Sequence, residues 1–161
     1  MKAIVVEDQQ ALAWKEVDAP TLGPNEILIR VKATAINRAD LMQRRGLYPP
    51  PPGASDIMGL ECAGVVEALG QKVSRFSVGD RVCALLAGGG YAEMSAVDEG
   101  SAVPIPDGLS FNEAAALPEV YATAWLNLFI EADLQPGERA LIHAGASGVG
   151  SAAIQIGRAH V

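Results

Sequence analysis

Aromatic residues are scarce in this 161-residue chain, at 5% of the total, and cysteine occurs only twice. With so few rings, a core must be built from Val, Ile, Leu and Ala. The two cysteines, Cys62 and Cys83, form no CxxC pair and no metal-ligand cluster. Their simplest reading is a pair of buried thiols in a reducing compartment, with a disulfide between them left open. Cations are also short: 12 Lys and Arg against 19 Asp and Glu leave a net charge of −7. A polyanion is repelled on average, so nucleic acid and anionic membrane are poor partners. The one local cluster, Arg38, Arg44 and Arg45, reads as a solvated helix face. Only Ala3–Val6 is apolar before Glu7, too short for a signal h-region. The uncharged stretch 140–157 has the length of a membrane span. Its glycines, His143, two serines and Gln155 make it too polar and flexible to cross lipid. The expectation is a soluble, cytoplasmic protein.

What the chain does have is hydrophobic residues (50%), 17 glycines and 10 prolines. That is a globular composition with many turns and short strands. A chain of this length buries roughly 70% of its unfolded surface and needs neither disulfide nor metal to hold a core. The first two-thirds read as β. Ala3–Val6 and Leu12–Glu16 flank a polar turn and suggest a hairpin. From Ile27 to Ala35 the pattern alternates with period two, one face apolar and the other mostly wet. Further strands are expected at Leu60–Ala68, Arg81–Leu86, Tyr91–Val97 and Ala102–Ile105. Many short strands with Gly/Pro turns point to a barrel or a sandwich. Asp40–Arg45 is expected as a helical turn or two stopped by Gly46. Tyr48 then leads into Pro49–Pro52, a stiff extended arm that fixes where the ring points.

The character changes near residue 108. Ser110 and Glu113 form a capping box for a helix continuing through Ala114–Leu117 to Pro118. A second helix follows with Val120, Ala124, Leu128 and Ala132 on one face. After a turn at Gln135–Glu138, Ala140–Ala144 reads as a buried strand, Gly145–Gly150 as a glycine loop and Ser151–Ala159 as a helix. Gly148-Val149-Gly150-Ser-Ala-Ala153 fits G-x-G-x-x-G/A. In that pattern Gly148 makes the tight turn, Gly150 admits the pyrophosphate to the backbone, and a small Ala153 lets helix and strand pack. Amides at the helix start then face phosphate, and Ser147 adds a hydroxyl. The acidic or basic residue that would read the ribose 2′ position falls beyond Val161, so the motif does not separate NAD from NADP.

Five segments in this order carry a resemblance: Asn37–Gly46, Tyr48–Ser55, Gly88–Gly90, Leu117–Glu119 and His143–Gly150. Together they resemble the zeta-crystallin-like quinone oxidoreductases of the medium-chain dehydrogenase/reductase superfamily, and among them the p53-inducible quinone oxidoreductase type. The resemblance implies a β-rich GroES-like barrel over 1–107, then the start of an α/β Rossmann domain over 108–161. It implies NADPH in a cleft between the two, and a truncated member, since the family's chains are about twice this length. Such a chain is expected to leave an apolar edge and helix face uncovered after 108, which favours self-association or disorder after about residue 130. By resemblance, Asn37 and Tyr48 line the nicotinamide end with Asp40 beside them. Thr123 contacts the nicotinamide side, and Gly145, Ser147, Gly148, Val149 and Gly150 form the phosphate loop. Asn37 and Asp40 fit helix capping equally well. His143 reads as a packed histidine at a strand end, and Glu119 as a helix-start carboxylate.

Zinc alcohol dehydrogenases of that superfamily place ligands where this chain has Asn37 and, in Gly59-Leu60-Glu61, Leu60. Leucine cannot ligate zinc, so no metal is expected. Without a Lewis acid, the chemistry suits hydride donation to an already electrophilic acceptor, a quinone or an α,β-unsaturated carbonyl. Catalytic residues beyond alignment are not identified. The competing readings are an enoyl-type reductase and a non-catalytic GroES-like module. The oligomeric state is left open, a homodimer being compatible.

Overall fold

The computed structural model describes residues 1–159. Two compact units divide the chain, Met1–Ala116 and Leu117–Val161. In the first, β1 (Lys2–Val6) and β2 (Leu12–Glu16) form the expected antiparallel hairpin, with Ile4 opposite Trp14 and Val6 opposite Leu12. A five-stranded antiparallel sheet holds β3 (Glu26–Thr34), β4 (Glu61–Leu69), β5 (Arg81–Leu85), β6 (Met94–Asp98) and β7 (Ala102–Pro104), in the order β6-β3-β4-β5-β7. The hairpin is tied to the segment entering β6 by Ile4 N–H donating to Tyr91 O at 2.8 Å and Glu93 N–H donating to Lys2 O at 3.0 Å. Those bonds give residues 91–93 to the hairpin, so β6 starts at Met94 and not at the expected Tyr91.

The alternation read in β3 is the alternation of burial. Ile27 and Ile29 are fully enclosed, each gaining about 1.5–3 kcal/mol from burial. They meet Cys62, Val66, Val82, Leu86 and Val97 on one face of the sheet. The opposite face carries Ala63, Cys83 and Ile105, covered by α2 (Phe111–Ala114) through Ala114 and Ala115. Cys62 pairs with Ala84 and Cys83 with Ala63, so the two thiols are one register step apart and point to opposite faces. Both are free and buried. Burial pushes the Cys62 thiol up to about 12, with Cys83 and Glu61 adding to the rise.

The capping box at α2 is present: Ser110 N–H donates to Glu113 Oε2 at 2.8 Å, and Glu113 N–H to Ser110 Oγ at 3.2 Å. The Ser110 hydroxyl, which also donates to Glu113 Oε2 at 2.7 Å, and the Ser110 N–H hold the Glu113 carboxyl below its usual range. The helix stops at Ala114 instead of running to Leu117, and α3 (Pro118–Trp125) starts with Pro118 at its first position. There the missing N–H costs nothing. Because α2 packs on β3 and β4, residues 108–116 belong to the first unit, and the boundary lies nine residues later than the change in sequence character.

In the second unit α3 continues as a π-helical turn, Leu126–Glu131, and α4 spans Gly148–Ala159. Ala124, Ala152, Ala153 and Ile156 form its core with Val120, Leu128 and Phe129 around them. Ala132, expected on that face, is exposed, because the π-turn shifts the register before it is reached. The buried strand expected at Ala140–Ala144 does not form: the segment is irregular and Leu141 is 84% exposed. A parallel strand needs a neighbour for its ladder, and no strand exists among the described residues of this unit. For the same reason His143 is exposed and not packed. No helix among the described residues is long and apolar enough to cross a membrane.

One position tests the sheet directly. A Cβ at Gly64, in the middle of β4, would lie 2.2 Å from Arg30 O and 2.7 Å from the Ile29 side chain. Both neighbours are fixed by the β3–β4 ladder. Gly64→Ala is therefore expected to cost about 3 kcal/mol or more, read as a lowered urea midpoint.

Candidate functional site

The residues singled out in the sequence fall into both units. Asn37, Asp40 and Tyr48 belong to the first, and Thr123 and the loop 145–150 to the second.

In the first unit, β3 ends at Thr34 and the chain turns into α1 (Arg38–Gln43), capped by Asn37. Asp40 lies in the first turn, where a carboxylate is favoured, and is only 2% exposed. Its Oδ2 accepts from Asn37 N–H at 2.7 Å and from the Tyr91 hydroxyl at 2.9 Å. Its Oδ1 accepts from Gly59 N–H at 3.2 Å. Three dipoles thus do for this buried carboxylate what water would otherwise do. Asn37 Nδ2 donates to Glu61 Oε1 at 2.7 Å. Glu61 is 1% exposed, and its carbonyl accepts from Thr34 Oγ1 at 2.7 Å. Asn37 and Asp40 therefore act as helix cap and anchor, with Glu61 and Tyr91 as partners that sequence spacing did not connect. Tyr91 stands 51 residues from Asp40 and Glu61 stands 24 from Asn37. The only signal for Glu61 was its place beside Leu60 in the segment compared with the zinc enzymes.

Tyr48 follows the helix and is 46% exposed on the way into the proline arm. Other exposed apolar side chains flank α1: Ile36 at 76%, Leu41 at 47% and Leu47 at 64%. They share that surface with the exposed Arg38 and Arg45, so the outside of the helix is mixed, above a polar, charged interior.

In the second unit, Ala144–Ser147 forms a turn that opens into α4. Ser147 caps the helix: its Oγ accepts from Gly150 N–H at 3.1 Å, and its carbonyl accepts from Ser151 N–H at 2.8 Å. Among the described residues the N–H groups of Gly148 and Val149 have no such partner and remain the donors of the first turn. Gly150 has a packing reason of its own. A Cβ there would lie 2.4 Å from Ala144 O and 2.7 Å from Gly145 Cα, so its bare backbone admits the loop. Ala153 is buried in the helix–helix core, as a small residue at that place should be. Thr123 Oγ1 donates to Glu119 Oε2 at 3.1 Å one helical turn earlier, joining two residues read separately in the sequence.

The Tyr91–Asp40 pair has a pH signature. Burial, chiefly, and the neighbouring Asp40 raise the Tyr91 phenol above its usual value of 10. A raised phenol binds its proton more tightly in the folded state, so the resulting stability is present below pH 10 and is lost as pH rises beyond it. Tyr91→Phe is expected to cost about 1–3 kcal/mol at pH 7. The difference between wild type and variant should shrink above pH 10 in denaturant melts; a constant difference would count against the assignment.

Comparison with known proteins fits this geometry. Residues 23–107 match the family described as alcohol dehydrogenase GroES-like domain. The synaptic vesicle membrane protein VAT-1 homolog of Danio rerio is 43% identical over 137 residues, covering 85% of this chain and 28% of that protein. The crystal structure of CurK enoyl reductase superposes with a TM-score of 0.88 at 35% identity, covering 99% of this chain and 51% of that one. A quinone oxidoreductase of Pseudomonas syringae pv. Tomato DC3000 gives 0.81 at 38% identity, with 99% and 50% covered. The chain thus spans about half of these solved chains and 28–38% of the first curated relatives.

Proposed function

The chain belongs to the alcohol dehydrogenase GroES-like domain family, within the oxidoreductases of the medium-chain dehydrogenase/reductase superfamily; from that premise we propose that it serves zinc-independent, NADPH-dependent reduction of a quinone or an α,β-unsaturated carbonyl compound. The observation that carries the reading is the occupancy of the Asn37–Glu61 corner. There the Asn37 carboxamide donates to the Glu61 carboxylate, and the next side chain, Leu60, is a hydrocarbon only 9% exposed. A carboxamide and a leucine are poor zinc donors. The two thiols do not repair the set, since both are enclosed on opposite faces of the sheet. A substrate that needs no Lewis acid suits this corner, because its carbonyl is already activated by conjugation.

The second unit supplies donors suited to one phosphate of a dinucleotide. The start of α4 presents the amides of Gly148 and Val149, and the positive end of the helix dipole favours a phosphate beside them. These donors fit a phosphate of a nicotinamide dinucleotide, which when bound supplies the hydride. Gly145 and Gly150 keep the loop backbone close to the helix. Ser147 holds the loop as its cap, and Thr123 with Glu119 forms the hydrogen-bonded pair on α3. In the first unit the exposed side chains of Tyr48, Ile36, Leu41 and Leu47 offer apolar contacts to a flat acceptor. Kinship with the p53-inducible type, and the choice of NADPH over NADH, are parts of this proposal.

Enoyl reduction is the second reading, favoured by the superposition on CurK enoyl reductase. Turnover of a simple quinone measured against a crotonyl thioester separates the two.

Substituting Gly150 would disturb the loop itself, so the informative variant is Ser147→Asp. Aspartate caps a helix as well as serine, which preserves the fold, and it sets a negative charge where phosphate would sit. NADPH affinity by fluorescence titration is expected to fall at least tenfold while the thermal midpoint stays within a few degrees. Unchanged affinity would refute the loop as the phosphate site.

A further inference from the structure

Of the chain's aspartates and asparagines, only Asp107 is followed by glycine. That pairing has its own chemistry. The backbone nitrogen of the following residue can attack the side-chain carboxyl carbon and close a five-membered imide. A side chain on that residue obstructs the approach, and glycine has none. In folded chains the attack is usually blocked, because most backbone N–H groups are tied into hydrogen bonds. The surroundings of Asp107 and Gly108 decide whether it is blocked here.

The two residues form the exposed tip of the turn Pro106–Leu109, between β7 and α2. Gly108 has φ +90°, and a Cβ there would meet nothing within 4 Å. Among the described residues the Gly108 N–H donates to no acceptor, and the Asp107 carboxylate accepts from no donor. Nucleophile and electrophile are therefore both free. One bond holds the turn, Leu109 N–H donating to Pro106 O at 3.3 Å. A long bond at an exposed tip opens at little cost. On either side the chain is fixed. Ile105 is buried, and its N–H donates to Arg81 O at 2.9 Å. Leu109 packs on the Ala63–Cys83 cluster, and its carbonyl accepts from Arg81 Nη2 at 2.5 Å. The ends are anchored and only the tip is loose.

We propose that Asp107–Gly108 is a site of spontaneous isoaspartate formation in the folded chain. Gly108 N bonds to Asp107 Cγ, and a side-chain oxygen leaves as water with the amide proton and the carboxyl proton. Water then opens the imide. Opening at Cγ restores aspartate. Opening at the backbone carbonyl leaves the chain running through the side chain and frees the α-carboxylate. The sum is an isomerisation that keeps mass and charge and needs no oxidant or further reactant. It lengthens the backbone by one methylene just ahead of the Ser110–Glu113 capping box, which starts the helix that covers one face of the sheet. The freed α-carboxylate is the substrate class of methyltransferases that repair isoaspartyl residues with S-adenosylmethionine. The site lies in the first unit and does not rest on the reductase reading.

The test is to age the full chain in mildly acidic buffer at body temperature, folded and, in parallel, unfolded in urea. Isoaspartate is counted by methyl transfer from S-adenosylmethionine with a purified isoaspartyl methyltransferase. It is located by peptide mapping with a protease that cuts before aspartate and not before isoaspartate. Accumulation at Asp107 above every other position is expected, at a rate in the folded chain within about tenfold of the unfolded one, because the tip is unprotected. Asp107→Glu should abolish the signal, since a six-membered ring closes far more slowly. It should leave the thermal midpoint unchanged, since the side chain has no partner to lose. A folded chain slower than the unfolded one by more than that factor overturns the proposal, because the turn then protects the bond. So does a larger signal at another position, or methyl incorporation that survives in Asp107→Glu.

Discussion

One enclosed carboxylate sets the geometry of the first unit. Asp40 carries its charge inside the protein, where ionisation is costly unless donors surround it. The donors come from three places in the chain: the cap of its own helix, the backbone before β4, and a phenol just before β6. Each bond fixes a separate segment against α1. The arrangement acts as a keystone: loss of any donor leaves the charge under-solvated, so the segments hold one another in place. Helix, strand entry and the turn to Asn37 thus inherit a common orientation from a single side chain.

Local chemistry was legible and long-range chemistry was not. The capping box at Ser110 and Glu113, the period-two run from Ile27 and the hairpin around Glu7–Gln10 depend on residues a few positions apart, and each formed as its pattern demands. Asn37 and Asp40 could be read as capping residues for the same reason. What could not be read is which distant groups complete them. Nothing in the spacing of Tyr91 or Glu61 says that a phenol and a carboxylate meet α1, because that depends on strand pairing 24 to 51 residues away. Ser95 shows the same limit in reverse. Its place on a core face became visible only through its register with Ile29. The apolar run Ala140–Ala144 has strand composition, yet composition supplies no partner, and an unpaired parallel strand has no hydrogen bonds to hold it.

The glycine loop illustrates how one residue serves two demands. Gly150 is required by the contact with Ala144 and Gly145 whether or not phosphate binds, and Ser147 is occupied as a cap. A motif can therefore satisfy its pattern for architectural reasons, and the ligand reading must rest on the donors left over, here the amides of Gly148 and Val149. The same distinction applies to Asn37, whose carboxamide is engaged inward with Glu61 while Tyr48 and the neighbouring leucines stay outward.

The placement of the two thiols has a consequence for how this fold meets its chemical environment. Cys62 and Cys83 are neighbours across the β4–β5 ladder, yet a one-residue offset turns their sulfurs to opposite layers. A disulfide needs its two Cβ atoms to face each other, which this ladder forbids without breaking it. The native first unit is accordingly indifferent to glutathione poise. Oxidants find no bond to close and reductants none to open, and the cysteines report nothing about the compartment in which the chain resides.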